Sequence, residues 1–102
     1  MENENRNENG MRERKPIKPI SSITSRIVFK GFWVGQTKYG TSVLLFDEYD
    51  NAYSLSGFAG RQFVNDNLDE ELKGREFFIE LEKKFSKKYG KDYYIIKDYE
   101  IV

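Results

Sequence analysis

Residues 60–73 read GRQFVNDNLDEELK, and Gly74 follows. Phe63, Val64, Leu68 and Leu72 recur at roughly helical spacing, and the glycine suits the left-handed position just past a helix end. Asn65-Asp66-Asn67 interrupts the pattern, so the segment reads either as one helix or as two short helical pieces. Asp66 or Asn67 would cap the second piece and set Asp69, Glu70 and Glu71 in its first turn, where the helix dipole favours acids. The sequence on both sides reads as strand, so this helix is the feature that chooses among small β architectures.

Upstream, residues 26–35 (RIVFKGFWVG) are rich in β-branched and aromatic side chains, and Gly31 within them suggests a bulge or bend. Residues 36–40 (QTKYG) form a turn, 41–46 (TSVLLF) a second strand, 47–51 (DEYDN) a polar turn and 52–58 (AYSLSGF) a third, weaker strand. Downstream, residues 75–82 (REFFIELE) alternate, with Phe77, Ile79 and Leu81 on one face. Residues 83–92 (KKFSKKYGKD) read as a basic connection, and 93–102 (YYIIKDYEIV) as the last strand. The order is β-β-β-α-β-β. Strand-rich chains of this size close into barrels to remove sheet edges, and a helix between the third and fourth of five strands is the OB-fold arrangement. The expected class is therefore all-β with one short helix, a five-stranded OB-fold barrel. An SH3-like barrel is the alternative, and it usually lacks a helix at that point. On the first strand Ile27, Phe29 and Trp33 share one parity, while Val28, Phe32 and Val34 share the other. A barrel strand buries one face, so one set is exposed or covered unless a bulge at Gly31 changes the register.

Composition narrows the function. The chain has 102 residues, no Cys and no His, so a His-containing triad, a thiol nucleophile and a Cys/His zinc site are excluded. No GxGxxG or Walker motif is present, and no cofactor is expected. Binding is thus expected over catalysis. Lys and Arg (17) balance Asp and Glu (17), which gives no global pull toward nucleic acid. The eight Phe, seven Tyr and one Trp all fall between Phe29 and Tyr99. Residues 1–15 (MENENRNENGMRERK) have almost nothing apolar to bury and lack the apolar stretch of a signal peptide. Pro16 and Pro19 mark an extended linker. Residues 1–23 are expected to be a disordered tail and linker, and 24–102 the OB-fold domain. No run approaches the roughly 18 apolar residues of a membrane span, so no membrane partner and a cytoplasmic location are expected.

The functional signal lies in the basic connection. Lys83, Lys84, Lys87, Lys88 and Lys91 fall within nine residues with no acid among them, and Phe85 and Tyr89 are interleaved. Lysines can track a phosphate backbone while rings stack on unpaired bases. Four phosphate contacts would give a log–log salt slope of roughly −3, at about −0.7 per contact. In an OB-fold this connection, the loop between strands one and two, and the face of strands two and three form the oligonucleotide surface. Lys38-Tyr39-Gly40 repeats the tripeptide Lys88-Tyr89-Gly90, and each would set a cation and a ring at the mouth of one groove. Trp33, Phe46 and Tyr53 are further stacking candidates, with the core as the alternative for each. Asp47, Glu48 and Asp50 lack the spacing of an EF-hand and read as a solvated turn. Glu76, Glu80 and Glu82 read as a charged outer strand face.

Residues 72–75 (LKGR), 77–81 (FFIEL) and 83–94 (KKFSKKYGKDYY) resemble small OB-fold single-stranded DNA-binding proteins of phages and mobile elements. The shared features are a leucine–x–glycine step into strand four, a Ser-Lys-Lys-Tyr-Gly-type loop and an aromatic in strand five. The resemblance covers about residues 26–99. It implies sequence-independent binding of single-stranded DNA in replication, recombination or transfer, with Lys87, Lys88, Tyr89 and Tyr94 at the nucleic acid. The chain departs from the bacterial single-stranded DNA-binding pattern at residues 98–102 (DYEIV), which are strand-like where that pattern has an acidic, Pro/Gly-rich tail. The residues themselves do not separate DNA from RNA. A homodimer or cooperative assembly along the strand is expected, since single OB domains gain affinity that way. The competing class is a small protein-interaction module or inhibitor, whose acidic patches at 47–50 and 66–71 would imitate nucleic acid.

Overall fold

A computed structural model describes residues 15–102. The tail expected over residues 1–14 lies outside the described residues. Five antiparallel strands form one sheet: β1 (Phe29–Thr37), β2 (Gly40–Asp47), β3 (Ala52–Leu55), β4 (Phe77–Ser86) and β5 (Lys91–Ile101). Their order across the sheet is β3-β2-β1-β4-β5, and it does not close into a barrel. Two helices, α1 (Gly57–Asn65) and α2 (Leu68–Glu71), connect β3 to β4. The chain is therefore mostly β with a short helical connection.

The sheet is two hairpins joined at one residue. β1 pairs with β2 along its whole length but meets β4 at a single register position, Phe29 opposite Phe77. The bulge expected at Gly31 is present, as a register shift between Phe29 and Gly31. The extra residue flips parity. Phe29 is fully buried, and beyond the bulge Phe32 and Val34 pack against the core while Trp33 turns outward. The two competing parities of the sequence are thus both used, one on each side of Lys30.

The core is built from Phe29, Val43, Leu45, Leu55, Phe77 and Ile79, with Phe63 and Leu72 closing it from the helical side. Ring edges lock it together: Phe29 meets Tyr53 edge-on at 5.6 Å, and Phe32 meets Phe63 at 5.1 Å. The helical segment breaks in two at its Asn-rich triplet. Asn67 takes the left-handed conformation (φ 62°), which asparagine tolerates well, and leads α2 with Asp69, Glu70 and Glu71 in the first turn. α1 starts three residues earlier than its apolar spacing implies. Gly60 is buried where a β-carbon would collide with the carbonyl oxygen of Leu55, so only glycine lets α1 lie this close to the end of β3.

The segment read as a linker is fastened to the sheet. Lys18 accepts a hydrogen bond from Ser54 N (2.9 Å) and donates one to the Ala52 carbonyl (2.8 Å), extending the edge of β3 in parallel. Pro16 and Pro19 flank that rung and stop it from growing. A 3-10 turn (Ile20–Ser22) then brings Ile23 into the core. The packed part begins near residue 18 rather than at Thr24, because pre-extended Pro-flanked backbone is well suited to cover an edge.

Two polar devices hold the frame. The turn after β2 was expected to be solvated, yet Asp47 is 4% exposed. Its carboxylate accepts bonds from Tyr49 N and Asn51 N (both 2.9 Å), Asn51 Nδ2 (2.9 Å) and the Tyr53 hydroxyl (3.0 Å). Burial alone would raise its pKa, but the bonds from Asn51, Tyr49 and Tyr53 outweigh it and hold the carboxyl below the usual aspartate value. The second device is Gln62 on α1. Its amide accepts from Ile96 N (2.8 Å) and donates to the Ile96 carbonyl (3.0 Å), filling one rung on the outer edge of β5.

Because the folded pKa of Asp47 is depressed, its contribution is complete above the ordinary aspartate value near 3.9 and fades as pH falls through the folded value. Asp47→Asn should lower stability by about 2 kcal/mol at pH 7 and flatten the acid limb of the denaturation profile, measured by urea unfolding at several pH values. An unchanged acid limb would mean another carboxylate governs it. Gln62→Ala should cost about 1–2 kcal/mol and expose the Ile96 amide to faster hydrogen exchange while the amides of the β1–β2 ladder stay protected.

Candidate nucleic-acid interface

The basic connection is mostly strand. β4 and β5 form a ladder out to Ser86 opposite Lys91, leaving a turn of four residues, 87–90. Gly90 takes a positive φ of 65° and its N–H donates to the Ser86 carbonyl at 2.7 Å, while Tyr89 N donates to Ser86 Oγ at 3.2 Å. Lys83, Lys84 and Lys91 are therefore ladder residues rather than loop residues, and Lys87 and Lys88 sit at the tip. The loop-like composition misleads here because a two-stranded ribbon exposed on both faces can be polar throughout.

The ladder register sorts these side chains by face. Lys83, Phe85, Asp92 and Tyr94 share one face, since Lys83 is opposite Tyr94 and Phe85 is opposite Asp92. Lys84, Ser86, Lys91 and Tyr93 share the other. The run that lacks acids in sequence gains them in space. Lys83 reaches Asp92 at 3.9 Å and Lys84 reaches Glu82 at 4.0 Å, whereas Lys87, Lys88 and Lys91 form no ion pair among the described residues. Uncompensated charge thus gathers at the tip. Tyr89 (67% exposed) stands at the tip with Lys88 Nζ 5.3 Å from its ring centroid, and Phe85 (61% exposed) lies just below it, opposite Asp92 and on the face of Lys83.

The second tripeptide forms the β1–β2 turn, with Lys38 Nζ 5.1 Å from the exposed Tyr39 ring and Thr37 Oγ1 donating to the Gly40 carbonyl (3.0 Å). The expectation that both turns flank one groove is not met by the strand pairing. From the shared Phe29–Phe77 rung, antiparallel register sends β1 and β4 off in opposite strand directions, each to its own turn.

Trp33 and Phe46 share the outer face of the β1–β2 hairpin with Leu44, which lies directly opposite Trp33. The Trp33 ring covers Gly35, where a side chain would collide with it, and remains 49% exposed. Phe46 is half-buried opposite Gly31. Tyr53 is not a stacking residue: it is 6% exposed, its ring packs on Phe29, and its hydroxyl serves Asp47. Tyr94 is half-buried and packs against the core, which leaves one part of its ring accessible. Sequence reading overlooked Phe58, assigned to β3 yet placed on α1. Its ring lies 5.7 Å from that of Tyr93. The signal available was Ser56-Gly57, a strand stop and helix start just ahead of it.

Among the described residues no helix is long and apolar enough to cross a membrane, and no group of three or more acidic side chains is placed to hold a metal ion. No protein-family model, curated protein or solved structure matches the chain.

Proposed function

We propose that this chain is a non-catalytic OB-fold protein that binds single-stranded nucleic acid with little sequence preference, single-stranded DNA by its resemblance, in replication, recombination or transfer of a phage or mobile element. The strand order supports the fold reading. Opening a five-stranded OB barrel between its third and fifth strands leaves the order 3-2-1-4-5, with the helical connection between strands three and four, as seen here. The observation that carries the binding reading is the end of the ribbon, where Lys87, Lys88 and Lys91 lack acidic partners among the described residues and the Phe85 and Tyr89 rings are exposed. A purely solubilising tip gains nothing from exposed rings, whereas a nucleic-acid surface needs both elements. The outer face with Trp33, Leu44 and Phe46 offers a second stacking or assembly surface; an apolar face of that kind also suits a protein partner.

The test is fluorescence anisotropy on labelled single-stranded DNA, single-stranded RNA and duplex DNA of equal length, about 25 nucleotides, across a salt titration. Lys87, Lys88 and Lys91, unpaired among the described residues, predict a log–log slope of about −2 for single strands. Lys87→Glu combined with Lys88→Glu should weaken binding by at least about tenfold at low salt and leave the circular dichroism spectrum unchanged. Absence of binding to every oligonucleotide at low salt would overturn the reading. A protein partner recovered by pull-down after nuclease treatment, together with that absence, would favour the interaction module.

A further inference from the structure

A cleft of about 720 Å³ opens between the start of α1 and the outer half of β5. That volume falls in the range of small-ligand sites. Four rings border it: Phe58 from α1, Tyr89 from the ribbon turn, and Tyr93 and Tyr94 from β5. Phe58 and Tyr93 meet in its lining, inclined at 59° with centroids 5.7 Å apart. Phe58 stays 48% exposed although the next residue, Ala59, is fully buried. Arg61 lies one turn along α1, its guanidinium carbon 5.9 Å from the Phe58 centroid. Lys91, at the start of β5, also borders the cleft. Asp92 is the acid among the described lining residues, and Lys83 approaches it to 3.9 Å. Among those residues two cations therefore outweigh one partly compensated acid.

Rings in a cleft offer stacking to any planar ligand, because every base has a π-face. A guanidinium resting on a ring keeps its N–H fork available, and that fork matches phosphate geometry. We propose that this cleft takes one unstacked base of a single-stranded nucleic acid, the base against Phe58 and Tyr93 and its phosphate on Arg61 and Lys91. The inference rests on the single-strand reading and deepens it. It adds a subsite on the helix side of β5, apart from the outer β1–β2 face that carries Trp33 and Phe46. A strand following the lysines of the ribbon tip passes Tyr89 and Lys91 on its way into the cleft, so both surfaces serve one path.

The experiment uses the full chain and an oligo(dT) of about 25 nucleotides, plain for anisotropy and carrying 5-iododeoxyuridine for photocrosslinking. Crosslinks are expected at Phe58, Tyr89, Tyr93 or Tyr94. Phe58→Leu and Tyr93→Leu should each weaken binding at least about fivefold, the low end of the loss of a stacked base. Arg61→Gln, a change at an exposed position, should reduce the salt slope by about 0.7. If the wild-type chain binds while all three variants stay within twofold of it, and crosslinks are confined to Trp33, Tyr39 or Phe46, the cleft is not a subsite and the single-strand reading stands without it. If the wild-type chain binds no oligonucleotide, the single-strand reading itself falls and the cleft falls with it.

Discussion

Phe29 is the residue on which both halves of the sheet turn. It faces Asp47 of β2 on one side and Phe77 of β4 on the other, and its ring is fully buried between Tyr53 and Phe77. One residue later the strand bulges, and β1 belongs to the β2 side alone. A bulge sharpens local twist and re-aims the side chains that follow it. Here that step turns Phe32 and Val34 toward the helices and Trp33 away from them. The outer aromatic face of the first hairpin is therefore a consequence of the same extra residue that lets one core serve both hairpins.

A sheet joined at one rung leaves backbone edges to be satisfied by other means, since an unpaired buried N–H or C=O costs free energy. Each edge has its own solution. The edge of β3 is met by Lys18 between two prolines, a rung that cannot propagate. At Ile96 the edge of β5 is met by the Gln62 amide, which presents one donor and one acceptor just as a neighbouring strand would. Asp47 does similar work at the end of β2, gathering two backbone amides and two side chains around one buried carboxylate. Polar side chains thus finish what strand pairing leaves incomplete.

Much of this fold was legible in the chain, for identifiable reasons. Alternation marked Phe77, Ile79 and Leu81 as one face, and Phe77 and Ile79 are fully buried. Gly31 marked the bulge because a glycine inside a strand is otherwise a liability. The Asn-rich triplet marked the break between α1 and α2 because asparagine enters the left-handed region easily. What composition hid were features set by tertiary contact. Phe58 reads as strand by its propensity, yet it lies in α1, which packs against the Leu55 carbonyl at Gly60 because glycine has no side chain there. Asp47 looks like any turn acid until Tyr53, six residues away, brings its hydroxyl back to it. The candidate site divides in the same way. Lys87, Lys88, Phe85 and Tyr89 are exposed as their composition implied, while Tyr53 belongs to the core because its parity on β3 points inward.

Charge shows most directly how position outranks count. The chain balances 17 basic against 17 acidic residues, and the stretch 83–91 looks wholly basic. Folding changes both impressions. Cross-strand and same-strand neighbours put Asp92 beside Lys83 and Glu82 beside Lys84, so among the described residues the base of the ribbon is partly compensated and the tip is not. The ribbon's path leads back toward α1, because β5 runs from the tip past Tyr93 to the Ile96–Gln62 rung. The sheet stays open on that side, and Phe58 meets Tyr93 three residues before the rung that Gln62 fills on β5. The stretch of β5 that the Gln62 amide caps is thus continuous with the one that borders the cleft through Tyr93 and Tyr94.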